Sequence, residues 1–243
     1  GLDEATKAQL LPLYGSALEQ LSNVEAYAAK TAEFDEAIKQ APEKTKKLQR
    51  DIEQAQQRLD KQKPEDFTQI SDAELEQRLI LEKEKITGLD EQVKKLEKDL
   101  ALQNERPQLI RQETIAAQEA LEAAQKKPEI PTIIASKLET EARQIQQATL
   151  IEARSAELKM LAVEANSNPF RVELLKAELQ LLKLQKDQLS PAIMAIEGLV
   201  NVRRQQEAKQ LEHELTEAEK TASGKHSLII GTTRENIQYS RDL

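Results

Sequence analysis

The 243-residue chain has no cysteine and no tryptophan, and only 2% of its residues are aromatic. Without cysteine there is no disulfide framework, no thiolate nucleophile and no thiolate metal ligand. Cysteine-free chains occur in the periplasm, in oxidising compartments and among cytosolic coiled coils alike, so the absence does not place the protein. With 39% hydrophobic and 32% charged residues, so few aromatics do not supply the core of a compact sandwich or an α/β enzyme. Glycine (6) and proline (8) are scarce, so each one punctuates the chain. No run approaches the roughly 18 apolar residues that a membrane-spanning helix needs; the most apolar stretches, 193–200 and 228–230, are short or interrupted. A net charge of -8 and a pI near 5.1 argue against a phosphate-binding face and against nucleic acid as a partner. The chain begins at Gly1, and 2–14 lacks a basic start followed by an apolar run. A signal peptide has therefore been removed or never existed, and the sequence reads as an excised fragment.

What the chain does have is leucine-sized side chains in alternating steps of four and three. In one segment Leu75, Leu79, Ile86, Leu89, Val93, Leu96 and Leu100 share a seam, with Glu82 the charged residue in register. In another, Val172, Leu175, Leu179, Leu182, Leu189, Ile193, Ile196 and Val200 do the same, interrupted by Lys186. A 3.5-residue period kept over about four heptads is the signature of a coiled coil. Charges at Glu82 and Lys186 are costly on a seam unless they snorkel or pair. They mark either a register-fixing pair or, as the simpler expectation, a splayed point in a bundle within one chain. The fold class expected is all-α, as elongated antiparallel helical hairpins or a coiled-coil bundle.

The helical arms are expected at 3–40, 42–61, 71–105, 107–126, 133–165, 169–222 and 227–243, in one domain spanning 1–243. In the first arm Leu10, Tyr14, Ala17, Leu21, Val24 and Ala28 form the stripe, with a bend near Pro12 and Gly15. Pro42 suits a first helical position and opens the second arm, which carries Leu48, Ile52, Ala55 and Leu59. Pro64 and Asp66 sit in a hairpin turn over 62–70. Ser71-Asp72-Ala73-Glu74 and Ser136-Lys137-Leu138-Glu139 are capping boxes that open helices. Pro107 restarts a helix, Pro128 and Pro131 mark a loop, and Asn166-Ser167-Asn168-Pro169 reads as a tight reversal. A further kink is expected at Pro191, and Ser223-Gly224 separates the last short helix.

Reactive chemistry is hard to find. Leu211-Glu212-His213-Glu214-Leu215 begins like the zinc motif H-E-x-x-H, but Glu217 stands where the second histidine belongs. Gln210, three residues before His213, also denies the Glu-x-x-His pair of a di-iron bundle. His213 therefore reads as a solvated surface residue, and His226 beside Lys225 is weaker still as a ligand. No serine elbow and no glycine-rich phosphate loop is present. The cluster of Lys44, Lys46, Lys47 and Arg50 reads as a solvated helix face. Arg203-Arg204 is a minor candidate for anchoring a lipid headgroup or a partner. The expectation is thus a chain with no catalytic, cofactor-binding or metal-ligating residues, needing no cofactor, and not an enzyme.

This order of elements resembles the N-terminal extension of large MscS-type mechanosensitive channels, the MscS porin domain of MscK-like proteins. The likeness rests on Ala41-Pro42-Glu43-Lys44, on Ser71 with the residues after it as far as Leu79, and on Leu102-Gln103 followed by Arg106-Pro107. It rests also on Leu199-Val200-Asn201-Val202-Arg203-Arg204 with Glu207, and covers essentially the whole chain. Pro128, Pro131 and Pro191 depart from the family pattern. The resemblance implies the periplasmic portion of a bacterial inner-membrane protein, an accessory domain of a tension-gated ion channel that releases solutes on osmotic shock. It implies as partners the membrane channel portion of the same polypeptide and envelope proteins, with a heptameric full-length assembly and an isolated fragment free to be monomeric. The alternative is a free-standing coiled-coil scaffold or envelope adaptor.

Overall fold

A computed structural model describes residues 3–63, 65–126, 137–222 and 227–241. Among them there are four helices and no strand: α1 Glu4–Lys61, α2 Asp72–Gln125, α3 Lys137–Ala222 and α4 Ser227–Arg241. The all-α helical bundle expected from the heptads is what forms. No helix among the described residues is long and apolar enough to cross a membrane.

The described chain falls into two compact units, Gly1–Glu53 with Val93–Leu181 and Gln54–Gln92 with Leu182–Leu243. In the first, Arg106 meets Glu164, Gln103 meets Asn168, and Ala124 accepts from Gln147, so α2 and α3 run antiparallel. Phe34 lies under Arg171 and Lys44 acts on Glu178, which sets α1 parallel to α3. The apolar centre is Ile110, Ala117, Met160 and Leu161, with Tyr27, Phe34 and Leu158 packed against it. In the second unit, Lys186 meets Asp90, Glu197 meets Lys83 and Arg204 meets Glu76, again antiparallel. Its centre is Phe67, Leu75, Ile196 and Val200. Every apolar residue of the two expected seams is buried or half-buried. Lys186 is not a splayed point: its Nζ lies 2.6 Å from Asp90 Oδ1 of α2.

Several expected boundaries are overruled, each by packing. α1 runs unbroken through Pro12, Gly15 and Pro42, so arms 3–40 and 42–61 are one helix. Each proline forfeits one intrahelical bond, a loss that the buried row of Leu10, Ala17, Thr31 and Ala41 outweighs. Within the predicted stripe Tyr14, Leu21 and Ala28 are exposed, because the inward row passes instead through Leu13, Val24 and Tyr27. Arms 71–105 and 107–126 likewise merge through Pro107. The reversal expected at Asn166-Ser167-Asn168-Pro169 does not form, and α3 continues through it and through Pro191. Ser167 and Asn168 are 0% and 5% exposed, and their polar groups bond to α3's own backbone and to α2 instead of closing a turn. α3 is described from Lys137 and α4 as far as Arg241, so residues 133–136 and 242–243 of the expected arms lie outside the described residues. Pro64, Pro128, Pro131, Ser136, Ser223, Gly224 and His226 lie outside the described residues.

The Ser71 capping box is present in full. Ser71 N–H and Oγ donate to Glu74 Oε2 at 3.3 and 2.8 Å, and Glu74 N–H donates back to Ser71 Oγ at 3.4 Å. Asp3 plays the equivalent part at α1, accepting from Thr6 N–H at 2.7 Å.

Candidate functional site

The most concentrated polar chemistry lies between α2 and α3 of the first unit. It begins with a covalent fact: Pro107 has no N–H, so the carbonyl of Gln103, four residues earlier, loses its helical donor. Asn168 on α3 replaces it, its Nδ2 donating to Gln103 O at 2.9 Å and to Gln103 Oε1 at 3.2 Å. One turn before Asn168, Glu164 is 5% exposed yet ionisable. Arg106 meets it with Nε on Oε1 at 2.7 Å and Nη2 on Oε2 at 2.9 Å. The same guanidinium bonds Glu113 with Nη1 on Oε1 at 2.8 Å and Nη2 on Oε2 at 2.7 Å. These bonds, Glu164's first and Glu113's second, raise the affinity of Arg106 for its proton. Ser167 Oγ donates to Glu164 O at 2.8 Å, completing a buried polar layer. Planar bidentate pairing holds only at one relative height of the two helices, so this layer fixes register rather than reacting.

A second polar clamp closes the α1–α2 connection of the other unit. Arg203 donates from Nη2 to Thr68 O at 2.8 Å and from Nη1 to Ile70 O at 2.7 Å and Asp72 Oδ1 at 2.5 Å. Asp66 orders the same segment by accepting from Thr68 N–H and Oγ1 at 2.9 and 2.6 Å. Phe67 is thereby tucked in at 4% exposure, with the Arg78 guanidinium 4.9 Å above its ring. Arg203 is thus engaged within the unit, while Arg204 pairs with Glu76 at 2.6 Å and keeps its side chain 65% exposed.

The remaining sequence candidates are not drawn together. His213 is exposed on α3, and Glu217 pairs with Lys220 at 2.6 Å. That hydrogen bond is the main reason its carboxyl is held below the usual range. Lys44, Lys46, Lys47 and Arg50 are all exposed. Among the described residues no three His, Cys, Asp or Glu side chains stand where they could hold a metal ion. The Arg106–Glu164–Asn168 layer had no signal in the sequence as a site, since Arg106 lies 58 residues from Glu164 and Gln103 lies 65 from Asn168. The only hint was that Gln103, Arg106 and Pro107 sit together in a motif of the family resemblance.

Fold and site together define a helical module whose specific chemistry is spent on holding helices in register. The chain belongs to the mechanosensitive ion channel porin domain family, the MscS porin family, whose model matches residues 1–230. It is therefore part of the MscS class of mechanosensitive channel proteins, as the resemblance implied. Neither the curated proteins nor the solved structures gave a match. Despite the family's label, no β-strand occurs among the described residues, so nothing in them resembles a barrel wall.

Proposed function

We propose that this chain is a periplasmic accessory domain, single over 1–243, of a tension-gated MscS-family channel that releases solutes on osmotic shock. It acts without catalysis, cofactor or metal, by scaffolding and by contact. The observation that carries the reading is the family match over residues 1–230, supported by the buried register lock of Arg106, Glu164 and Asn168. A helix pair locked in this way transmits axial displacement instead of sliding, which is what an element attached to gating helices requires. Its partners are the membrane portion of the same polypeptide and, in the full-length assembly, copies of itself and envelope proteins.

The test is patch-clamp recording from membranes containing the full polypeptide or the same polypeptide lacking 1–243. Both should conduct under tension, with the opening threshold displaced in the truncated form. A full polypeptide without tension-gated conductance overturns the channel reading and favours the free-standing scaffold. An unchanged threshold overturns the accessory role.

A further inference from the structure

Residues 65–70, between α1 and α2, owe their shape to side chains. Among the described residues their backbone-to-backbone bonding is Ile70 N–H to Phe67 O at 3.2 Å. A segment with so little bonding of its own belongs to the part of a fold that opens first. Its centre is nevertheless a plug: Phe67 is 4% exposed and packs with Leu75 and Ile196, each 0% exposed, and with Val200.

What holds the plug down is a set of exposed carboxylates. Asp66 and Thr68 flank Phe67, and the two bonds that Asp66 Oδ1 accepts from Thr68 bend the backbone around the ring. Glu65 Oε2 takes Arg78 Nη2 at 2.5 Å, which sets that guanidinium over the ring. Asp72 takes Nη1 of Arg203, the same guanidinium that grips Thr68 O and Ile70 O. Glu74 caps α2 through Ser71. Glu65 and Asp72 keep 52% and 54% of their side-chain exposure, so solvent protons reach them.

Acid acts on this set in one direction. The charged groups facing the segment are Arg78, Asp72, Glu74 and Glu76 from α2 and Arg203 with Arg204 from α3. Lys61 and Lys63 stand at its α1 end. Asp66 is held below the ordinary carboxylate range by the Thr68 hydroxyl first and the Thr68 N–H second, and Glu74 by the Ser71 hydroxyl and N–H. Their contribution is therefore present above the ordinary range and is lost as pH falls through the lowered values. Arginine and lysine keep their protons throughout, so Lys63, Arg78, Arg203 and Arg204 are left as like charges around one short segment. The apolar contacts of Leu75, Leu79, Ile196 and Leu199 that join α2 to α3 have no proton to gain.

We propose that residues 65–70 form an acid-released latch: protonation of Asp66, together with Glu65, Asp72 and Glu74, frees Phe67 from its slot and uncovers Leu75, Ile196 and Val200 while α2 and α3 stay helical. The latch turns a fall in pH into an exposed apolar patch. It lies wholly within the second unit and does not depend on the channel reading.

The sequence has no tryptophan, so Phe67→Trp places a single fluorophore in the slot. As the 243-residue chain is titrated from about pH 7 to about pH 3, its emission is expected to shift to the red while circular dichroism stays helical. Asp66→Asn keeps an acceptor oxygen beside Thr68 but has no proton to gain. In the Phe67→Trp background it should move the midpoint of the shift down by about half a pH unit or more. Emission that does not move, or that moves only with loss of helix, overturns the proposal, as does a midpoint that Asp66→Asn leaves in place. If the Phe67→Trp emission is already red at neutral pH, hydrogen exchange of the unsubstituted chain decides. Ile70 N–H losing protection on acidification before Ile196 N–H supports the latch, and the two losing it together overturns it.

Discussion

The side-chain amide of Asn168 on α3 stands 2.9 Å from the main-chain carbonyl that Pro107 strips of its donor, Gln103 O on α2. A backbone defect in one helix is thus repaired by a side chain of another. Asn168 is 5% exposed, so water does not readily take its place. Asn168→Leu should therefore lower stability by about 1–3 kcal/mol, the cost of a buried acceptor left alone. Pro107→Ala restores an N–H four residues after Gln103, so in that background Asn168→Leu should cost clearly less. Urea unfolding of the four members of this double-mutant cycle measures the coupling, expected at about 0.5–3 kcal/mol. Strict additivity would show that the amide does not serve the orphaned carbonyl.

The same polar layer separates a buried charge from an exposed one. Glu164 retains 6% of its side-chain exposure and Glu113 retains 44%, though both bond Arg106. Arg106→Met strands Glu164 in the interior and should cost about 3–5 kcal/mol. Glu113→Ala removes only a half-solvated partner and should cost no more than about 1 kcal/mol. Arg106→Met with Glu164→Leu should recover much of the loss, because it removes the stranded charge. Equal effects of Arg106→Met and Glu113→Ala in chemical denaturation would refute this ranking.

These relationships explain which parts of the architecture could be read from sequence. The seams from Leu75 and from Val172 were legible because helix burial writes itself into a local 3–4 spacing. The capping box at Ser71 and Glu74 was legible because its two members lie one turn apart. Continuity through Pro42, Pro107 and Asn166-Ser167-Asn168-Pro169 was not. Each of those stretches favours a helix end locally, and the bonds that override it come from a facing helix 65 residues away in the case of Asn168. Arg106 and Glu164 were silent for the same reason. A lone arginine and a lone glutamate in a chain with 32% charged residues look like solvent-facing side chains.

Two glutamates should respond to acid in opposite senses. Glu74 is held below the ordinary carboxylate range, first by the Ser71 hydroxyl and then by the Ser71 N–H. A depressed folded value means that its contribution is present above the ordinary range and is lost as pH falls through the lowered one. Glu178 is pushed upward, mainly by burial, with Lys44 opposing. Its ionised form is therefore a burden near neutrality, lifted as pH falls through the raised value and absent below the ordinary range. Glu74→Gln should accordingly lower the neutral-pH urea midpoint and flatten its acid loss, while Glu178→Gln should raise the neutral midpoint and converge on the parent chain in acid. Midpoints for the two variants that move the same way near neutrality would contradict the assignment.

The two charged seam residues, Glu82 and Lys186, should part company when replaced by leucine. Lys186 meets Asp90 at 2.6 Å with both side chains 38% exposed, a setting in which an ion pair is worth about 0–1 kcal/mol. Lys186→Leu loses that pair, gains apolar seam surface, and should be close to neutral. Glu82 is different. Its side chain is only 14% exposed, and although Oε1 takes Lys85 Nζ at 2.9 Å, Oε2 is buried with no donor. An unmet buried oxygen costs about 1–3 kcal/mol, and leucine would extend the seam across the gap. Glu82→Leu should therefore raise the urea midpoint by that order with an unchanged denaturant slope, the mark of a pure stability change. If the substitution instead destabilises the chain, Glu82 is contributing to the packed unit; if the slope changes, the carboxylate is specifying the helix pairing, as charged seam positions do when they fix register. Measuring both substitutions side by side separates a solvated ion pair from a buried one with the same apparent place in the heptad.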